Sequence, residues 1–97
     1  MNTKDYEIVK ELTAGAKAAI RSNIDISTRE DRVVGVDRDG SLLYERTVKT
    51  EVKHAAKLGF DSIMKYWLVA PLYLKELESC GFTAIQHNIE SLEISWR

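Results

Sequence analysis

Residues 60–81 read FDSIMKYWLVAPLYLKELESCG, and the place of Pro71 in that stretch decides how the chain folds. Phe60, Met64, Tyr66 and Leu68 suit one face of a strand, and Ile63, Trp67 and Val69 suit the other. A strand apolar on both faces belongs in the centre of a sheet. A helical alternative runs through Ile63, Trp67, Ala70, Leu74 and Leu77. Pro71 argues against it, because proline disfavours a helical residue before it and lacks the N–H that a helix interior needs. Proline is well tolerated at the first position of a helix. The reading is therefore a strand over residues 60–69, then a helix from Pro71 with Leu74 and Leu77 in the core, ended by Gly81.

C-terminal to this stretch, FTAIQH (82–87) and SLEISW (91–96) alternate apolar and polar residues and form a hairpin across NIES. Leu92, Ile94 and Trp96 share one face. The last strand is thus expected to be structural, with loss of even two terminal residues damaging the core. On the N-terminal side, RVVGV, the turn DRDGS and the residues from Leu42 favour a second hairpin. The segment 42–48 is ambiguous. Period two makes it a strand, whereas Tyr44, Val48, Val52 and Ala55 fit a helix capped by Ser41. The hairpin reading is adopted, with a helix from about Val48 to Leu58 and Gly59 after it. At the start, TKDYEIVKELTAGAKAAIRSN (3–23) carries a helical stripe of Ile8, Leu12, Ala16 and Ala19, with Asn2 or Thr3 as the cap. Its lower half is rich in small residues, Ala14 to Ala19, which suits close packing or contact with a second copy. Residues 24–32 read as a surface loop.

These elements make a small α+β domain spanning residues 1–97, with three helices on a mostly antiparallel sheet of about three to five strands. The 97 residues are 44% hydrophobic and 30% charged, ordinary for a globular chain. Such a length buries roughly 65% of its unfolded surface. Fourteen basic and 15 acidic residues leave a net charge of -1. That balance excludes general nucleic-acid binding, which rests on neutralising phosphates. No apolar run approaches the ~20 residues of a membrane span, and no leader-type run opens the chain. A cytoplasmic protein is expected. One cysteine, Cys80, excludes an internal disulfide.

Chemistry-bearing patterns are sparse. Cys80 sits at the end of a helix, where the dipole disfavours a thiolate, and reads as a structural thiol. His54 and His87 lack the spacing of metal ligands. VDRDGS resembles the start of a calcium loop but has Val48 where the twelfth-position glutamate belongs, so it reads as a turn. No catalytic residue, metal or cofactor is expected, and the chain is not read as an enzyme. Tyr66, Trp67 and Tyr73 cluster around Pro71, with Lys65 and Lys75 nearby. Aromatics beside cations stack on nucleotides. These five residues are the candidate ligand-binding set, and a core role for the aromatics stays open.

The second half of the chain resembles small proteins of tailed bacteriophages. The resemblance rests on Ala55, Ala56, Gly59, Ser62, Ile63, Leu74, Leu77, Gly81, Phe82, Ile94, Ser95 and Trp96, in the order Ala-Ala-x-x-Gly, Ser-Ile, Leu-x-x-Leu-x-x-x-Gly-Phe, Ile-Ser-Trp. The DRVVGVDRDGS insert departs from that pattern. The resemblance implies a phage or prophage accessory protein acting in the host cytoplasm, binding a host protein or a nucleotide-type ligand, as in takeover or inhibition of antiviral defence. A homo-oligomer is expected. The alternative is a structural or assembly component of a virion or larger complex.

Overall fold

The computed structural model describes residues 1–15 and 31–97. Helix α1 (Thr3–Thr13) opens on a reciprocal cap. The Asn2 side chain accepts from the Asp5 N–H at 2.8 Å, and the Asp5 carboxylate accepts from the Asn2 N–H at 3.0 Å. Ile8, Val9 and Leu12 face the core. The helix stops earlier than the periodicity predicts, because Gly15 takes φ 74° after the C-cap Ala14. A left-handed glycine at that position ends a helix. The remainder of the expected helix (16–23), including Ala16, Ala18 and Ala19, and residues 24–30 of the expected loop lie outside the described residues.

Strands β1 (Val33–Val36) and β2 (Leu42–Tyr44) form the expected antiparallel hairpin. Asp37 organises its turn. The Asp37 carboxylate accepts from the N–H groups of Asp39 at 2.9 Å and Ser41 at 3.0 Å. Helix α2 (Glu45–Lys57) then begins at once, three residues before the predicted start. The helical spacing prevails from Glu45 onward, with Val48, Val52, Ala55 and Ala56 all buried. Helix α3 (Pro71–Cys80) starts on Pro71 and ends at Gly81, φ 116°, as the sequence predicts. Strands β5 (Thr83–Asn88) and β6 (Ser91–Ser95) make the second hairpin.

The α+β class with three helices holds among the described residues, and the strands divide into two three-stranded antiparallel sheets. The predicted long central strand 60–69 is cut at Tyr66–Trp67 into two strands that lie at sheet ends, and its Phe60, Met64, Tyr66 and Leu68 face is exposed, not buried. Strand β3 (Ser62–Lys65) joins β6 in the order β3-β6-β5, while β4 (Leu68–Val69) joins β1 in the order β2-β1-β4. Gln86 holds the corner between them. Its amide nitrogen reaches the carbonyls of Trp67 (2.9 Å), Asn88 (2.8 Å) and Ser91 (3.0 Å), and its amide oxygen accepts from the Val69 N–H at 3.4 Å. A side chain here satisfies backbone groups that a continuous strand would have paired in its ladder.

The core runs between the helices and the inner faces of both sheets. Its least exposed large side chains are Trp96, Leu77, Leu92 and Ile94. The indole N–H of Trp96 donates to the Thr13 hydroxyl at 2.7 Å, tying the last strand to the end of α1. Phe82 meets Trp96 edge-on with ring centroids 6.4 Å apart, and Tyr6 meets Phe82 at 5.1 Å. No helix among the described residues is long and apolar enough to cross a membrane.

Candidate functional site

The break at Tyr66–Trp67 scatters the aromatic set around Pro71. Trp67 and Tyr73 are buried in the core, and Tyr66 is exposed with the Arg38 guanidinium 5.1 Å above its ring. Lys65 sits 5.9 Å from the Trp67 ring and pairs with Glu51 at 2.8 Å. Lys75 is exposed on α3. The five residues therefore do not share one open surface: the rings of Trp67 and Tyr73 point inward, where Trp67 borders the corner that Gln86 pins.

Tyr73 belongs to a different neighbourhood, which local sequence does not announce. Arg32 lies 5.6 Å from the Tyr73 ring and holds two carboxylates. It bonds Glu45 at 2.6 and 2.9 Å, and Glu76 at 2.7 and 3.0 Å. The amine of Met1 also pairs with Glu45, and the Cys80 thiol donates to the Met1 carbonyl at 3.2 Å. Hydrogen bonds donated to Glu76 and then to Glu45 raise the Arg32 pKa. Burial of Glu45 opposes its ionisation, but hydrogen bonds from the Met1 amine and Arg32 outweigh that and lower its pKa. The Arg32 hydrogen bond lowers that of Glu76. Carboxylates depressed in the folded state stabilise it above their unfolded value of about 4.5, and that contribution fades as pH falls through the lowered folded values. The urea midpoint should accordingly drop between about pH 6 and about pH 3, which bracket the carboxylate range, and Arg32→Gln should flatten this dependence. An equally steep profile in the variant would show that other groups carry it.

The Tyr73 hydroxyl is buried and has no hydrogen-bond partner among the described residues. Burial, then the nearby Glu45 carboxylate, pushes its pKa up, so the phenol stays neutral. An unpartnered buried hydroxyl costs roughly 1–3 kcal/mol of desolvation. Tyr73→Phe should therefore raise stability by about 1 kcal/mol in urea titration, and a clear loss would mean the hydroxyl is satisfied in solution. The arrangement is a structural clamp joining α1, β1, α2 and α3.

The remaining chemistry-bearing residues stand apart from one another. His87 pairs with Glu93 at 2.9 Å on the open face of its sheet, and His54 is exposed on α2. No group of three or more metal-ligating side chains gathers among the described residues.

A groove of about 320 Å³ lies between the C-terminal half of α2 and β3. Glu51, His54, Ala55 and Leu58 form its helical wall, and Phe60 and Ser62 to Lys65 form the other. Leu58, Phe60 and Met64 are 63%, 60% and 56% exposed, so its lips are apolar and open. Successive residues of β3 all border the groove, although their side chains alternate between sheet faces. The groove is therefore lined by the edge of the strand. β3 ends its sheet, with β6 on its other side. The Trp96 N–H donates to the Asp61 carbonyl at 2.9 Å, and the register sets Ile63 opposite Ile94 and Lys65 opposite Leu92. Alternation of the ladder then turns the N–H and C=O of Asp61, Ile63 and Lys65 toward β6. Those of Ser62 and Met64 point into the groove and have no backbone partner among the described residues. Of the five candidate residues, Lys65 alone lines this groove. The signal that sequence reasoning passed over is the run of large apolar residues, Leu58, Phe60 and Met64, on either side of Gly59 and Asp61.

No protein-family model, no curated protein and no solved structure matches the chain.

Proposed function

We propose that this chain is a non-catalytic interaction protein that receives an extended protein segment along β3. The observation that carries this reading is the unpaired edge of Ser62 and Met64 beside the apolar lips Leu58, Phe60 and Met64. An exposed sheet edge supplies backbone bonds for affinity, and pockets beside it supply specificity. Exposed edges are a liability that soluble proteins commonly blunt or cover. Here Lys65 is the one charged residue on the strand, and its ammonium is turned to Glu51. The resemblance to phage accessory proteins supplies the setting: a host cytoplasm, a host protein as partner, and inhibition by occupancy as the mode of action. A nucleotide-type ligand has less to hold it, because Tyr66 alone of the three aromatics presents an open ring.

The test is quantitative binding. A protein recovered on the chain from host lysate is identified, purified and titrated calorimetrically against wild type, Met64→Pro and Phe60→Ser. Proline at an edge position with an outward N–H is compatible with the sheet, so the first variant removes the donor and blocks the approach. Saturable wild-type binding that weakens at least about tenfold in both variants, or about 1.4 kcal/mol, supports the reading. Unchanged affinity in both variants removes it.

A further inference from the structure

We infer that the segment seated on β3 is β3 of a second copy, antiparallel, about a twofold axis passing beside Ile63. The inference rests on the strand-accepting reading above and names its occupant. The register follows from the groups available. Ser62 and Met64 carry the outward N–H and C=O groups. In an antiparallel pair, residues that exchange both bonds must stand opposite each other. Setting Ser62 opposite the second copy's Met64 satisfies both residues of both strands at once. Twofold symmetry then places Ile63 opposite the second copy's Ile63, on the helix-facing side.

The same register brings opposite charges together. Asp61 falls opposite the second copy's Lys65, and symmetry repeats the contact. Each charge already has a partner in its own chain, Asp61 with Arg97 at 3.2 Å and Lys65 with Glu51 at 2.8 Å. The assembled edge would read Arg97, Asp61, Lys65, Glu51, alternating in sign across the interface. On the opposite face, Ser62 meets Met64. Shifting the register by two residues sets Met64 against Met64 and loses the Asp61–Lys65 contacts. The three-stranded sheet would continue as six strands, β5-β6-β3 and its symmetry mate. The groove between α2 and β3 provides the space, since a paired strand sits roughly 4.8 Å away.

The experiment is sedimentation or light scattering of the whole chain over rising concentration, with charge-reversed variants. Wild type should reach twice the 11.0 kDa of one chain. Lys65→Glu should weaken dimerisation at least about tenfold, since like charges then face each other twice. Adding Asp61→Lys should restore it to within about threefold, because both contacts return with reversed sign. Met64→Pro should leave a folded monomer, and circular dichroism of each variant confirms the fold. A wild-type monomer at every concentration overturns the inference, as does a dimer indifferent to Lys65→Glu or unrestored by the double change. A monomer that still binds a host segment sensitive to Met64→Pro overturns the second copy as occupant and leaves the strand-accepting reading in place.

Discussion

Trp96→Ala should cost about 3–5 kcal/mol, the range for truncating a fully buried aromatic. For a domain of this size that lowers the melting temperature by at least about 12 °C. Trp96 is 1% exposed, and it acts in two ways. Its ring fills the space beside Phe82, which in turn supports Tyr6 on α1. Its indole N–H donates to the Thr13 hydroxyl, whose single proton is shared between the carbonyls of Val9 and Phe60. Alanine would leave a cavity and release the end of α1 together. Trp96→Phe keeps most of the aromatic packing, loses the hydrogen bond and part of the indole, and should cost less, about 1–3 kcal/mol. Equal losses in both variants, measured by urea denaturation, would show that the polar contact and not the packing carries the site.

The second large effect belongs to Gly35. A methyl group there would lie 2.1 Å from the Leu68 carbonyl oxygen and 2.7 Å from the Val69 Cα. Both atoms are backbone, so no side chain can swing aside. Gly35→Ala must push β4 off β1, although the pair is anchored further along by the Ala70 N–H on the Val34 carbonyl at 2.9 Å. The expected cost is about 3 kcal/mol, the upper end for overpacking. Gly40→Ala is the control. It has open space around it but φ 81°, so it incurs backbone strain alone, about 1 kcal/mol. If the two substitutions destabilise equally in thermal melts, the close crossing of β1 and β4 is not what Gly35 serves.

Elements whose limits are set by local chemistry were legible in the sequence. Pro71 and Gly81 delimit α3, Asp37 and Gly40 make the first turn, and alternation exposes the last hairpin with Trp96 facing inward. The split at Tyr66–Trp67 was not. Alternation reports which faces of a strand are apolar, not which are covered: Ile63, Trp67 and Val69 are buried, whereas Phe60, Met64, Tyr66 and Leu68 are exposed, and the two strands each lie at the end of a different sheet. What decides the break is Gln86, seventeen residues beyond Val69, through a side chain that no periodicity describes. The early start of α2 follows a related logic, because burial of Val48 and Val52 overrides the β-branched character of the segment. Among the candidate site residues, Lys65 alone borders the open groove between α2 and β3. The clustering of Tyr66, Trp67 and Tyr73 along the chain did not survive folding into a shared surface. A strand edge is a property of sheet order, and sheet order is settled by partners remote in sequence.

The bond between Thr13 and Trp96 joins residues 83 positions apart. During synthesis at roughly 5–20 residues per second, α1 would be made some 4–17 s before its anchor exists. Its apolar stripe of Ile8, Val9 and Leu12 packs mainly on α2 and α3, so only the tie to Trp96 at the end of the helix has to wait that long. The hydrogen bond that locks the end of α1 should therefore form after the helix has already found its packing partners, so docking of the helix and its final locking are separate events.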